Sequence, residues 1–443
     1  MTETTKTQKP APALSPDQSL AVASLTTWLA QPFDISGPWF RLSGSAGMGK
    51  TYLLGHLPDS FKGRVVFTAP TNKAVRALKS AISTPTYTPE FRTIFSLLGL
   101  TLQASGELKI LTAPEDPIDL SAYRLIIVDE ASMVSSVLMK EILSVVKLYR
   151  IRVLFIGDPA QLPPVGEPQS PIWSLDLPTG ASFALSKVMR HDNAILDLAT
   201  ATRKEIGKPA PCLNLKPFEF ALSKVPTEGG VIKLNPVEFA VSIRESCDLG
   251  HFSTPTGAKL VAWRNVTVDV WNRSIRAHLW GNEAQNPWLP GDRVVFTSPA
   301  KDLQNEAMAS TDDEGIVNLS TVIQHPLFPE IRVYQISITL DDNRRASALV
   351  LHPSAIPTYN EILNSLSSEA KARPRLWKKF WEFKEAFHSL RHSYALTAHR
   401  AQGSTYDRAY VCFSDILLNR DRQEAFKCFY VAVTRPRTWL YLG

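Results

Sequence analysis

At 443 residues with 44% hydrophobic content, the chain is long enough to fill two or three compact cores, and this excludes an intrinsically disordered protein. Its 48 Lys and Arg against 42 Asp and Glu leave +6, a mild excess compatible with a polyanion partner but shared by many ordinary enzymes. Cys212, Cys247, Cys412 and Cys428 form no C-x-x-C pair, which argues against a zinc ribbon or a disulfide framework and suits a reducing compartment; no run approaches the ~18 apolar residues of a spanning helix.

In chain order, the polar, Pro-rich "MTETTKTQKPAPALSP" carries no signal-peptide core and predicts a loose tail over 1–15 of a cytoplasmic protein. "LSPDQSLAVASL" then opens an amphipathic helix bearing Gln18. "WFRLSGSAGMGKTYLLGHL" runs apolar strand, glycine loop and helix, the context in which G-x-x-x-x-G-K-[ST] carries chemistry. In this reading Gly44, Ser45, Ala46, Gly47, Met48 and Gly49 wrap phosphate oxygens with backbone N–H groups, Lys50 supplies charge to the outer phosphates, and Thr51 offers a hydroxyl to Mg²⁺.

"GRVVFTAPTNKAVRAL" repeats the switch from strand to polar residues and delivers Thr71, Asn72 and Lys73. Before the next strand, "LTLQASGELKILTA" alternates around Ser105 and Gly106 as a hairpin should, with Leu108, Ile110 and Leu111 on its returning arm. "YRLIIVDEAS" ends in Asp129, placed to hold Mg²⁺, and Glu130, placed to orient or deprotonate water. "IRVLFIGDPAQLPPV" adds Gln161 toward a terminal phosphate. Four strands delivering polar groups at one edge predict a single nucleotide cleft outside the carboxyl ends of a parallel sheet.

After "LSKVMRHDNAILDLA" a Pro-scattered stretch over about 207–236 reads as connection, and "RHD" at 190–192 is too short a hint of a metal phosphohydrolase to carry weight. "GAKLVAWRNVTVDVWNRSIRAHL" predicts a second α/β layer with Trp271 in its core. From about 288 to 352 the period shortens to that of strands, a small β module. "RPRLWKKFWEFKEAF" interleaves bases with aromatics, but Trp377, Phe380, Trp381, Lys384 and Phe387 lie near one helical face, which favours a helix docked on a core over a surface that stacks on bases.

"YALTAHRAQGSTYDRAYVCF" resumes the second sheet, with His399, Arg400 and Gln402 in its polar loop. No second His or Cys stands at ligand spacing from His399, which favours hydrogen bonding or a DNA contact over a metal. "FYVAVTRPRTWLYLG" closes the chain with Arg435, an arginine from a second sheet that would stabilise γ-phosphate charge, with Arg190 as a second.

Taken in order, GSAGMGKT, APTNKA, VDEAS, GDPAQLPPV, AHRAQGST and VAVTR resemble the motifs of superfamily-one helicases, with the RecD-like and Dda-like branch matching best over about residues 14 to 443. The resemblance implies an α/β chain of two RecA-like P-loop NTPase domains with parallel sheets, plus a small hairpin insertion and an SH3-like β insertion. The expected boundaries are a tail at 1–15, a first motor domain at 16–186 with a pin at about 97–117, and a second motor domain at 187–287 and 391–443 interrupted by the SH3-like module and its helical arm at 288–390. It further implies that Gln18 recognises adenine, that Gly403 helps hold nucleotide, and that Thr71, Asn72, Lys73, Thr93, His399, Ser404 and Thr405 contact nucleic acid. Relatives often carry histidine where Phe95 stands and an aromatic wedge in the pin, so neither contact is carried over.

The implied activity is an ATP- and Mg²⁺-dependent DNA helicase moving 5'-to-3' on single-stranded DNA and opening forked duplex. It would act as a monomer with replication or repair proteins and no membrane, in a bacterial or phage-infected host cytosol. The residues leave two alternatives: an RNA helicase, since many polar side chains contact a 2'-OH, and an ATP-gated single-strand binder or translocase that does not unwind.

Overall fold

The computed structural model describes residues 14–56, 63–82, 89–102, 108–110, 119–186, 194–216, 229–304 and 306–443, with backbone alone for 101–102 and 108–110. The chain divides into two compact units, Met1–Pro70, Ala74–Pro159 and Pro163–Arg190 in the first, and Thr71–Lys73, Ala160–Leu162 and His191–Gly443 in the second.

The first unit is built on a parallel sheet whose strands lie in the order Glu90–Thr93, Arg64–Ala69, Tyr123–Val128, Arg152–Gly157, Trp39–Ser43 and Ser182–Ala184. Successive residues of a strand point to opposite faces, so strands covered on both sides are apolar throughout. Phe67, Ile127, Leu154 and Ile156 accordingly enter one core with Leu25 and Leu53, while Val66, Ile126, Val153 and Phe155 enter the other with Leu138 and Ile142. The helix Pro16–Ala30 starts at a capping box in which the Ser15 hydroxyl accepts from the Gln18 N–H and the Gln18 side chain accepts from the Ser15 N–H. A two-stranded antiparallel ribbon, Leu100–Leu102 with Leu108–Ile110, follows in the segment read as a hairpin, whose tip and whose Leu111 lie outside the described residues.

The second unit carries a parallel sheet in the order Ala395–Thr397, Ala258–Ala262, Tyr406–Val411, Pro436–Leu442 and Gly230–Lys233. Strands from both ends of this unit's sequence therefore meet in one sheet. Between them the chain forms an antiparallel sheet in the order Arg345–Leu351, Arg332–Leu340, Glu314–Gln324, Arg293–Phe296 and Leu390–His392, with helices Ile356–Ala372 and Trp377–Glu385 inserted before its last strand. Trp271 packs edge-on against Phe239 at 5.7 Å, partly buried at one core.

One helical face differs from its expectation. The buried anchor of Trp377–Glu385 is Phe383, 2% exposed and packed against Tyr359, Phe328 and Phe387, whereas Trp381 is 41% exposed. Residues four apart share a helical face, so Trp377 and Trp381 form a stripe that excludes Phe383, and Phe387, just past the helix end, packs on Phe383 at 5.3 Å. Trp381 instead lies under the Lys384 ammonium, 4.9 Å from its ring centroid. Phe383→Ala should therefore lose on the order of 3 kcal/mol of stability by cavity formation, with Trp381→Ala changing the urea midpoint little. Equal losses from the two would contradict this assignment of faces.

Candidate active site

The strand Trp39–Ser43 runs into a loop with left-handed backbone at Gly47 (φ 81°) and Gly49 (φ 75°), and Gly49 caps the helix Lys50–Leu54. A Cβ at Gly49 would lie 2.5 Å from Gln18 Nε2, so this glycine is required both by its backbone angle and by the side chain packed on it. Lys50 Nζ folds over the loop and donates to the carbonyls of Gly44 at 2.8 Å and Ser45 at 3.0 Å. Ser45 N–H points to Met48 Sδ at 3.2 Å, which leaves Met48 filling the inside of the loop at 6% exposure.

Gln18 is neither a surface glutamine nor a wholly uncommitted amide. It is 2% exposed, its Oε1 accepts from Ser15 N–H, and its Nε2 donates to the Met48 carbonyl at 3.1 Å. An amide has a second N–H and further lone pairs, so these bonds fix its orientation beside the loop without exhausting it.

At the end of Tyr123–Val128, Asp129 N–H donates to the Thr68 carbonyl at 2.8 Å, and Asp129 Oδ1 accepts the Glu130 N–H at 2.8 Å. Glu130 adopts a left-handed backbone, φ 51° and ψ 41°, an unfavourable conformation for a residue with a side chain and one that turns it sharply out of the strand. Burial, and then the neighbouring Glu130 charge, push the Asp129 carboxyl up to about 7, against the opposing pull of Lys50 and a hydrogen bond from Thr51. Two hard oxygen ligands, the Thr51 hydroxyl and the Asp129 carboxylate, thus meet where positive charge is in demand, and this donor set fits Mg²⁺.

The raised Asp129 carboxyl has a consequence for stability. The folded state holds a proton that the unfolded chain releases near its ordinary value of 3.8, so this group's contribution declines as pH rises through the window up to about 7. Without divalent cation, the thermal midpoint of Asp129→Asn should fall less between pH 5 and pH 8 than that of the parent. Parallel declines would rule out Asp129 as the group responsible.

In the second unit, Gln161 is 5% exposed and its Oε1 accepts from Gln402 Nε2 at 3.1 Å, joining two sequence-selected glutamines 241 positions apart. Gly403 has φ 75°, and the turn it makes lets Ser404 N–H return to the Ala401 carbonyl at 3.0 Å. Ser404 is 4% exposed and its Oγ finds no hydrogen-bond partner among the described residues; Thr405 beside it is half-buried. Arg435 is 5% exposed and donates to the carbonyls of Val431 at 2.8 Å and Ser404 at 3.0 Å and to Thr434 Oγ1 at 2.8 Å. Its guanidinium is thus held on the same loop as Gln402 and Ser404. Arg190 lies outside the described residues.

The nucleic-acid candidates are partly committed to the fold. Thr93 caps a short helix by accepting from Ser96 N–H at 3.1 Å, Asn72 begins the helix Asn72–Ala81, and Thr71 is half-buried just before it. His399 Nε2 sits 3.7 Å from Glu424. Lys73 Nζ contacts Glu314 at 2.7 Å and the Tyr406 hydroxyl at 3.0 Å, and Glu314 overcomes the effect of burial to hold that ammonium above its usual range.

Glu314 is the centre of a buried charge network that sequence reading missed. It faces Lys259 Nζ at 2.6 Å and Arg293 Nη2 at 3.5 Å; Arg293 in turn grips Asp341, and Lys259 donates to the Ser393 carbonyl. Burial alone would raise the Glu314 carboxyl, but the Lys259, Lys73 and Arg293 cations hold it well below the carboxylate range. Lys259, buried and beside other cations, falls to about 8 despite Glu314. The available signal was a lone lysine inside the apolar strand Ala258–Ala262, where an unpaired ammonium would be untenable.

Residues 14–211 match the AAA domain family, and residues 392–442 match the UvrD-like helicase C-terminal domain. The chain is 23% identical to the ATP-dependent DNA helicase dda of Enterobacteria phage T4, covering 89% of this chain and 92% of that one. It is also 23% identical to an uncharacterized protein of Acanthamoeba polyphaga mimivirus, over 89% of this chain and 93% of the other. Among solved structures, the Pif1 helicase from Bacteroides, in complex with ADP-AlF3 and ssDNA, aligns with a TM-score of 0.52 at 15% identity over 97% of this chain and 92% of that chain. The Pif1 helicase from Candida albicans aligns with a TM-score of 0.50 at 16% identity over 98% and 95%. These structural likenesses bear out the two-sheet RecA-like α/β fold.

Proposed function

Starting from a chain that is a superfamily-one helicase of the Pif1 and Dda type, we propose that it hydrolyses ATP to move 5'-to-3' along single-stranded DNA and to separate forked duplex. The observation that carries this reading is the meeting of Lys50, Thr51, Asp129 and Glu130 at the ends of two strands of one sheet. Lys50 leaves its loop carbonyls to hold the outer phosphates, and the backbone of 44–49 cradles the rest. Thr51 and Asp129 would hold Mg²⁺, which neutralises phosphate charge when bound. Glu130 orients and deprotonates the attacking water, Gln161 senses the terminal phosphate, and Arg435 with Arg190 stabilises the charge that develops on it. Gln18 would hold the nucleotide beside the phosphate loop, and Gly403 is a further candidate for holding nucleotide.

The loop through Gln402, Gly403 and Ser404 ties phosphate sensing to strand contact in this proposal, because Arg435 is bonded to the Ser404 carbonyl and Gln402 to Gln161. Thr93 in the first unit, and Thr71, Asn72, Lys73, His399, Ser404 and Thr405 in the second, would touch the strand, gripping phosphate and sugar without reading sequence. Alternation of the two grips with ATP state then gives steps along one strand. The Leu100–Leu102 and Leu108–Ile110 ribbon is proposed as the strand-splitting pin, and the antiparallel sheet as the SH3-like insertion.

Matched duplexes with a single 5' or 3' tail test the motor and its direction together. We expect ATP-dependent unwinding from the 5' tail alone; unwinding from the 3' tail overturns the direction, and none beside strong DNA-stimulated hydrolysis favours a translocase or gated binder. Stimulation of ATP turnover by RNA in preference to DNA would instead select the RNA helicase.

A further inference from the structure

Although no second His or Cys follows His399 at ligand spacing in sequence, the fold supplies two other donors. His399 projects from the short helix Ala398–Ala401, and Glu424 and Cys428 project from one face of Arg422–Val433, being four residues apart. One imidazole nitrogen, one carboxylate oxygen and the Cys428 sulfur all lie within 4.8 Å of one another, and His399 Nε2 is already 3.7 Å from Glu424 Oε1. We infer that His399, Glu424 and Cys428 form a three-ligand site for a divalent cation of the zinc class, in which His399 ligates through one ring nitrogen and keeps the other for the strand contact proposed above.

The donor set and the packing support this choice. Nitrogen, oxygen and thiolate sulfur together suit borderline-soft zinc rather than Mg²⁺ or Ca²⁺, which take hard oxygen ligands. Tetrahedral zinc with bonds of about 2.0–2.3 Å sets its ligand atoms roughly 3.5 Å apart, so the trio needs to contract by only about 1 Å. Cys428 is fully buried, while the His399 and Glu424 side chains are 39% and 38% exposed, which gives the ion a polar entrance and a closed floor. The buried part of its surroundings, outweighing the nearby Glu424 charge, keeps the His399 imidazole below its usual range, which favours the neutral form that ligates. The same burial pushes the Cys428 thiol up to about 12, so the thiol stays protonated until a cation arrives. On binding, the S–H bond breaks, its electron pair forms the metal–sulfur bond, the proton passes to solvent, and no electron transfer is required.

Occupancy would have a defined structural effect. The ion would bridge the helix Ala398–Ala401 to the helix that precedes Arg435, and Arg435 already binds the carbonyls of Ala401 and Ser404. Both supports of that arginine would then be clamped together.

The test uses full-length protein stripped with chelator and titrated with Co²⁺ in the absence of nucleotide. We expect one equivalent to produce a thiolate-to-cobalt charge-transfer band, displaced by Zn²⁺, lost in Cys428→Ala, and weakened at least tenfold in affinity in Glu424→Gln and His399→Ala. The exposed Cys212 serves as the control, and Cys212→Ser should leave the band intact. The Thr51 and Asp129 site offers only oxygen ligands and contributes no such band. Should Cys428→Ala fail to fold, Glu424→Gln decides the matter, because Zn²⁺ should raise the thermal midpoint of the parent and not of that variant. Absence of the band, its loss in Cys212→Ser, or an undiminished response in Glu424→Gln overturns the site.

Discussion

Lys50→Ala should cut the proposed DNA-stimulated ATP turnover by at least about 10²–10³-fold, the range for removing one preorganised donor from a transition state. The expectation follows from geometry: Lys50 Nζ is held by the Gly44 and Ser45 carbonyls at the mouth of the phosphate loop, and both contacts are to backbone oxygens that water can satisfy when the side chain is removed. The fold should therefore survive the substitution. A thermal midpoint near that of the parent, together with a steady-state rate at background, is the predicted pair of results. Turnover at the parent rate would remove the phosphate loop from the mechanism.

Glu314→Gln should destabilise the second unit by about 3–5 kcal/mol, the loss on breaking a buried ion pair. Glu314 faces Lys259, Lys73 and Arg293, and Arg293 is fully buried, so the neutral amide leaves a surplus of positive charge in the interior. The sign with pH is fixed by the depressed Glu314 carboxyl: its contribution is present above the unfolded value of 4.5 and is lost as acid is added. Urea denaturation at pH 7 measures the loss. A double variant with Lys259→Met should recover part of it, because removing both members of the pair leaves fewer uncompensated charges. A single variant as stable as the parent would show that the network is solvated and weak.

The parts legible in the sequence were those whose chemistry is local. Gly49 requires a left-handed angle, Lys50 and Thr51 follow it on the same turn, and Asp129 with Glu130 ends a strand of four apolar residues, so a stretch of about ten residues contains each signal. The two parallel sheets were likewise legible, because strands buried on both faces must be apolar throughout. The docked face of Trp377–Glu385 was misread: its sequence offers aromatics on more than one side, and only contact with Tyr359 and Phe328 selects Phe383 as the buried one.

The sequence by itself determined a phosphate loop, an acidic strand end and the order of the motifs, since backbone angle and side-chain type at adjacent positions suffice to specify them. The tertiary structure alone decided that Gln18 braces the loop through Met48, that Glu314 gathers Lys259 and Arg293, and that Cys428 lies beside His399. These partners are separated by tens of residues, and the energy of a buried charge or ligand depends on what surrounds it in space, which no local pattern encodes.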